Sequence, residues 1–288
     1  MAHARDLLRL ARPLDWLKGF FVLMPLPFAV ASGAHLDPLP FAMGLLGFSL
    51  LSSAVYVFND LRDVEFDRMH PEKRERPLAA GRVTPRLAGL ECTLLLGLGL
   101  ALVSASARIA ALEISLVYLG LNALYSMGGK HVPMLDVFLL AAGFVLRVLL
   151  GCALIGAAPS NWLLLCSSAL ALLLALAKRR ADLVQGLGPG HRPSLEGYSQ
   201  EFLDQAMAVM AAMAILAYAL YAMDSQVLRP GREFAGVPLV IFGVLEVLRV
   251  ARIEAPRGFQ ISRFMRSPTL GLCMVGWLLA TLLSLGTL

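Results

Sequence analysis

Charge is scarce in this sequence. Asp, Glu, Lys and Arg make up 16% of its 288 residues, while 58% are hydrophobic, and the mean hydropathy is +0.72. That is too apolar for an ordinary soluble domain and fits one membrane bundle over residues 1–288. Cysteine is scarcer still. Cys92, Cys152, Cys166 and Cys273 lie scattered in apolar runs with no CxxC pair. They read as small core residues rather than as disulfides or a zinc site. No soluble domain, low-complexity linker or convincing Ser-His-Asp or Cys-His arrangement is visible. The formal net charge of +5 is modest, and no nucleic-acid partner is expected. The basic start and the later AVASGA stretch mimic a signal peptide, but Pro25 and Pro27 interrupt the apolar run, so a retained first helix is expected.

What is abundant is apolar length. Nine segments approach spanning size, at 14–34, 41–61, 87–107, 109–127, 134–156, 160–180, 202–223, 233–250 and 268–287, the eighth near the lower limit. The expectation is an all-α polytopic membrane protein of about nine transmembrane helices around a cytoplasm-facing cavity. With the N-terminus inside, every Lys and Arg except Arg108, Arg147, Arg229 and Arg232 falls in a cytoplasmic segment. Such asymmetry sets the orientation and places the polar motifs on the cytoplasmic face of a cell (inner) membrane. The oligomeric state, homo-oligomer included, stays open.

One polar stretch organises the chain: NDLRDVEFDRMHPEKRERPLAAGR, from Asn59 to Arg82. If the preceding helix runs through Asp67, then Asn59, Asp63 and Asp67 are successive i, i+4 neighbours, and Asp60 lies at i+3 from Asp63. Carboxylates this close repel unless a cation sits among them. Hard oxygen ligands with room for water suit Mg²⁺ bound together with substrate phosphates. A solvated helix end laced with salt bridges is the alternative.

Asn59, Asp60, Asp63 and Asp67 resemble the first acidic motif, NDxxDxxxD, of the UbiA superfamily of membrane-embedded prenyltransferases. The continuation RDVExDRxHPxKxxRPxAAG, from Arg62 through His70, Pro71, Lys73 and Arg76 to Gly81, is similar to its decaprenyl-phosphate phosphoribosyltransferase branch. The resemblance implies a UbiA-like bundle and a Mg²⁺-dependent transfer of phosphoribose from phosphoribosyl diphosphate (PRPP) to a polyprenyl phosphate. It implies that Asn59, Asp60, Asp63 and Asp67 carry metal and catalysis, and that Arg62, Lys73 and Arg76 bind substrate. A prenyl diphosphate:acceptor transferase of the same fold, and a lipid carrier or transporter, are the competing readings.

Four further constellations carry polar chemistry in apolar surroundings. In NALYSMGGKHVPMLD, Gly128 and Gly129 break a helix beside Lys130, a plausible phosphate cradle or a plain basic turn. The family resemblance extends through Asn122, Tyr125 and Lys130 as substrate-facing positions. Arg147 sits mid-helix, which costs roughly 2.5–3.5 kcal/mol on insertion scales. It should face the interior and meet an anion, either a substrate phosphate or an interhelical partner; Asp136 shares its helix face. After the sixth segment, aromatic-acceptor relatives carry a second acidic motif. Here Asp182 is followed at i+4 by Gly186, and Lys178, Arg179, Arg180, His191 and Arg192 surround it. Such cations suit a donor with a separate phosphate, so Lys178, Arg179, Asp182 and Arg192 are substrate-binding candidates. Finally, RPLDWLKG resembles the family's RPxxWxKN start, with Gly19 in place of the usual asparagine; Lys18 is the candidate there, and an interfacial belt is the alternative.

Overall fold

The computed structural model describes residues 4–69, 73–186, 193–225, 228–253 and 267–285. Among these, structure is helical apart from one isolated bridge between Leu228 and Leu285. The helices are α1 (Ala4–Ala11), α2 (Phe20–Leu23), α3 (Leu26–Ala31), α4 (Pro38–Arg62), α5 (Val64–Met69), α6 (Pro85–Ala105), α7 (Ile109–Met127), α8 (Leu135–Ile155), α9 (Asn161–Val184), α10 (Gln200–Asp224), α11 (Val237–Ile253) and α12 (Pro268–Ser284). Seven stretches are long and apolar enough to cross a membrane: Ala4–Ala31, α4 and α6 to α10. Against the nine spans expected, seven among the described residues reach spanning length, and α11 and α12, of 17 residues each, fall short of it.

Local chemistry sets most boundaries. Thr84, Ser160 and Ser199 cap α6, α9 and α10, each accepting from the amide three residues on. Gly128, at φ 147°, stops α7 where an L side chain would be strained. The first span departs from the expected single helix over 14–34. Arg12 adopts a left-handed conformation, Pro13–Gly19 forms a 3-10 turn, and Met24–Pro25 separate α2 from α3. Proline lacks the amide that a continuous helix needs.

Helix contacts rely on small residues, as expected where lipid is no less apolar than leucine. A Cβ on Gly47 of α4 would sit 2.8 Å from the Gly99 carbonyl of α6. A Cβ on Gly151 of α8 would sit 2.1 Å from the Val22 carbonyl, so this glycine lets the broken first span lie against α8. The largest apolar cluster runs along α8, α9, α10 and α11, and a second joins α4, α6, α7 and α8. Between them, at the end of the bundle where α4, α7 and α9 finish, a polar cavity remains.

Candidate active site

The cavity has a volume of about 250 Å³ and is walled by α4, α7, α8, α9 and the Pro13–Gly19 turn. Of the residues expected to act, Lys18, Asn59, Asp63, Lys73, Arg76, Tyr125, Lys130, Arg147, Lys178 and Asp182 line it. Cations dominate the wall. Seven lysines and arginines, Arg12 included, line the cavity beside two carboxylates, Asp63 and Asp182, while Asp15, Asp60 and Asp67 pair with Lys18, Arg12, Arg76 and Lys73 from outside the lining.

The acidic stretch is not one continuous helix face. α4 ends at Arg62, and Asp63, with ψ near 6°, separates it from α5. The amide bonds Asp63 N to Asn59 O and Asp67 N to Asp63 O persist across the break. Asn59 and Asp63 therefore face the cavity while Asp60 and Asp67 turn beneath it, 2% and 3% exposed. Asp60 Oδ1 accepts from Arg12 Nη2 at 2.5 Å and Arg76 Nη1 at 3.0 Å. Asp67 Oδ2 takes Arg76 Nη1 at 2.6 Å, with Lys73 Nζ at 4.0 Å from its other oxygen. Burial still holds the Asp67 carboxyl above the usual carboxylate range, against the lowering pull of Arg76 and Lys73. Asp63 pairs with Lys130, and the Asn59 Oδ1 accepts from Ser126 at 3.1 Å.

Among the described residues no cluster of three or more His, Cys, Asp or Glu side chains forms a metal cage. The expected four-ligand set is thus divided into a cavity pair and a buried pair. A cavity pair of hard oxygens still fits Mg²⁺, which keeps several waters and binds through one or two carboxylates plus substrate phosphates.

Three candidates lie or pair differently from the rest. Arg62, the last residue of α4, is exposed and outside the cavity wall. Arg179 is fully buried behind the wall. Its Nε lies 2.7 Å from Asp136 Oδ2 and its Nη1 donates to Asp182 Oδ2 at 2.6 Å. Arg147 has no interhelical carboxylate partner among the described residues; it meets hydroxyls, a carbonyl and aromatic rings instead. Arg192, with His70, Pro71 and His191, lies outside the described residues.

Asp136 is a hub. Its carboxylate accepts from Ser194 Oγ at 3.0 Å and Tyr198 OH at 2.6 Å, besides pairing with Arg179. Tyr198 OH in turn accepts from the amide of Met134, whose φ is 65°. Burial and the bond to Asp136 raise the Tyr198 pKa above the ordinary phenol range. The hub ties the start of α8 to the end of α9 and to the Pro193–Gly197 turn, which supplies Leu195 to the wall.

Arg12 and Tyr56 were missed as wall residues. Lys18 Nζ donates to Tyr56 OH at 2.9 Å, and Arg12 lies over the same ring at 5.2 Å. A signal existed for both: Arg12 opens the RPLDWLKG motif, and Tyr56 precedes Asn59 by three residues on α4. Ser194 and Tyr198 stand in the RxSLExY stretch that resembles the phosphoribosyltransferase branch, but the spacing did not show that they bond Asp136.

Residues 20–265 match the model of the UbiA prenyltransferase family. The chain is 34% identical over 228 residues to the decaprenyl-phosphate phosphoribosyltransferase of Corynebacterium glutamicum, covering 77% of this chain and 68% of that one. It is 32% identical over 222 residues to that of Mycolicibacterium smegmatis, covering 75% and 70%. The fold is similar to a UbiA homologue from Archaeoglobus fulgidus solved bound to DMAPP and Mg²⁺, with a TM-score of 0.73 at 21% identity over 98% of this chain and 100% of that one.

Proposed function

From the chain's membership of the UbiA prenyltransferase family, which makes it an integral membrane transferase, we propose that it moves 5-phosphoribose from PRPP to a polyprenyl phosphate. The observation that carries this reading is the cationic wall. Lys178 lines the cavity and forms no ion pair among the described residues, and the wall carries far more cations than carboxylates. Such a lining suits a small donor with several phosphate oxygens and offers little to a hydrocarbon tail. The relatives with curated names support the same donor class.

Asn59 and Asp63 would hold Mg²⁺ with the donor's diphosphate, and the metal supplies neutralisation of charge on the leaving group. Lys130, Lys73 and Arg76 bind diphosphate oxygens from the same side. Asp60 and Asp67 orient Arg12 and Arg76 from beneath. The C1–O bond to diphosphate breaks, with its electron pair leaving on the diphosphate, and an oxygen of the lipid phosphate bonds to C1 from the opposite face. A phosphate monoester is already largely anionic at neutral pH, so no general base is required. Positioning and electrostatics carry the acceleration. The active site opens to the cytoplasmic side of the cell membrane, as the Lys and Arg distribution suggests.

The second reading, transfer of a prenyl group from a prenyl diphosphate, is favoured by the fold alone. A diphosphate-release assay with either donor and Mg²⁺ separates the two. Release from PRPP only supports the proposal; release from a prenyl diphosphate only rejects it.

A further inference from the structure

Arg147 lies halfway along α8, on the cavity wall and 6% exposed. Its Nη1 donates to the Gly143 carbonyl at 2.6 Å, and its Nη2 donates to Ser52 Oγ at 3.1 Å and Tyr118 OH at 3.0 Å. The rings of Tyr118, Phe144 and Phe48 surround the guanidinium at 5.0, 5.5 and 5.6 Å. Every group that touches it is neutral, and no carboxylate pairs with it among the described residues. The other buried guanidiniums, Arg179 and Arg180, both face carboxylates. A guanidinium held at this depth by neutral partners alone, on the wall of a cavity, is a preorganised site for an anion.

Its position says which anion. Ser52, which holds Arg147, precedes Asn59 by two turns of α4, or about 10 Å at 1.5 Å per residue. Asn59 and Asp63 line the cavity at the end of α4, and Arg147 lines it about two turns deeper in the bundle, at the level of Ser52. Between them on α7 stands Asn122, one turn from the Tyr118 that holds Arg147 and one turn from the Ser126 that donates to Asn59. Two anion-binding poles separated by a hydrogen-bonding side chain match a pentose phosphorylated at both ends.

Resting on the reading of PRPP as donor, we propose that Arg147 is a specificity-determining residue that takes the donor's 5-phosphate, the monoester remote from the leaving diphosphate. The lipid phosphate is the other phosphate monoester in the reaction, so the test must separate the two.

In Arg147→Met, the KM for PRPP rises about ten- to a hundredfold, the loss of one charge-assisted phosphate contact. The KM for polyprenyl phosphate and inhibition by inorganic diphosphate stay unchanged, while inhibition by ribose 5-phosphate is lost. Arg147→Lys, which keeps a charge without the fork, falls between. An unchanged PRPP KM, a shift in the lipid KM instead, or equal inhibition of wild type and variant by ribose 5-phosphate overturns the assignment. If the wild type makes no lipid-linked phosphoribose, the donor reading has failed, and the Arg147 site is judged by binding alone. Ribose 5-phosphate then raises the unfolding temperature of the wild type and not of Arg147→Met; protection of both, or of neither, overturns the site.

Discussion

Two buried aspartates of this bundle should differ sharply in what their loss costs. Asp136 is 0% exposed and faces Arg179, also 0% exposed. Asp136→Ala leaves that guanidinium with Asp182 alone and strips the acceptors from Ser194 and Tyr198. Breaking a buried pair in this way costs about 3–5 kcal/mol, because the remaining charge cannot reach water. Asp60 is buried almost as deeply, yet its partners Arg12 and Arg76 are 23% and 28% exposed, and Arg76 keeps Asp67. With water on the cations, Asp60→Ala should cost about 1–2 kcal/mol. Thermal unfolding of the detergent-solubilised protein, read by loss of the monodisperse size-exclusion peak, compares the two. An Asp60 variant as unstable as the Asp136 variant, or more so, would refute the claim that exposure of the partner cation sets the cost.

Three other outcomes follow from the site. Asp63→Asn should abolish Mg²⁺-dependent turnover while the protein still folds and extracts, at a lower unfolding temperature because buried Lys130 loses its ion pair; near-normal activity at saturating Mg²⁺ removes Asp63 from the metal pair. Lys178→Ala should raise the KM for PRPP about tenfold or more and leave the lipid KM alone, and an equal effect on both would show that the lysine acts on neither substrate in particular. Tyr198, with its pKa raised in the fold, binds its proton more tightly there than in the unfolded chain. Its stabilisation is therefore complete below about pH 10 and declines above it, by at most about 1.4 kcal/mol per pH unit; Tyr198→Phe should be less stable at neutral pH and should lack this alkaline decline, as thermal unfolding across pH 8–11 would reveal.

The helical class and the polar stretch from Asn59 were legible because both are local. Apolar runs reveal spans, and Asn59 and Asp63 share a face through one helical turn. The break at Asp63 was not legible, since it accompanies pairings with residues far off in sequence: Lys130 with Asp63, and Arg12 with Asp60. Periodicity placed Asp136 and Arg147 on one face of α8, but eleven residues put them about 16 Å apart along the axis, too far to pair. Asp136 instead meets Arg179 from α9 and Tyr198 from a turn. The basic run of Lys178, Arg179 and Arg180 near the end of α9 carried both phosphate-binding candidates and an alternative reading as a membrane anchor. Helix geometry divides it, sending Lys178 to the cavity, Arg179 to Asp136 and Asp182, and Arg180 to Asp204.

The proposed transfer of a sugar phosphate to a lipid phosphate would take place in a cationic cavity with one oxygen pair for Mg²⁺. Its most direct measurement uses the purified full chain with PRPP labelled in the ribose, Mg²⁺ and a polyprenyl phosphate. Label should move into the organic phase as a polyprenyl-phosphoribose bearing a 5-phosphate, together with release of diphosphate, and chelation of Mg²⁺ should stop both. Label that stays in the aqueous phase, while the same preparation consumes a prenyl diphosphate, would contradict the account.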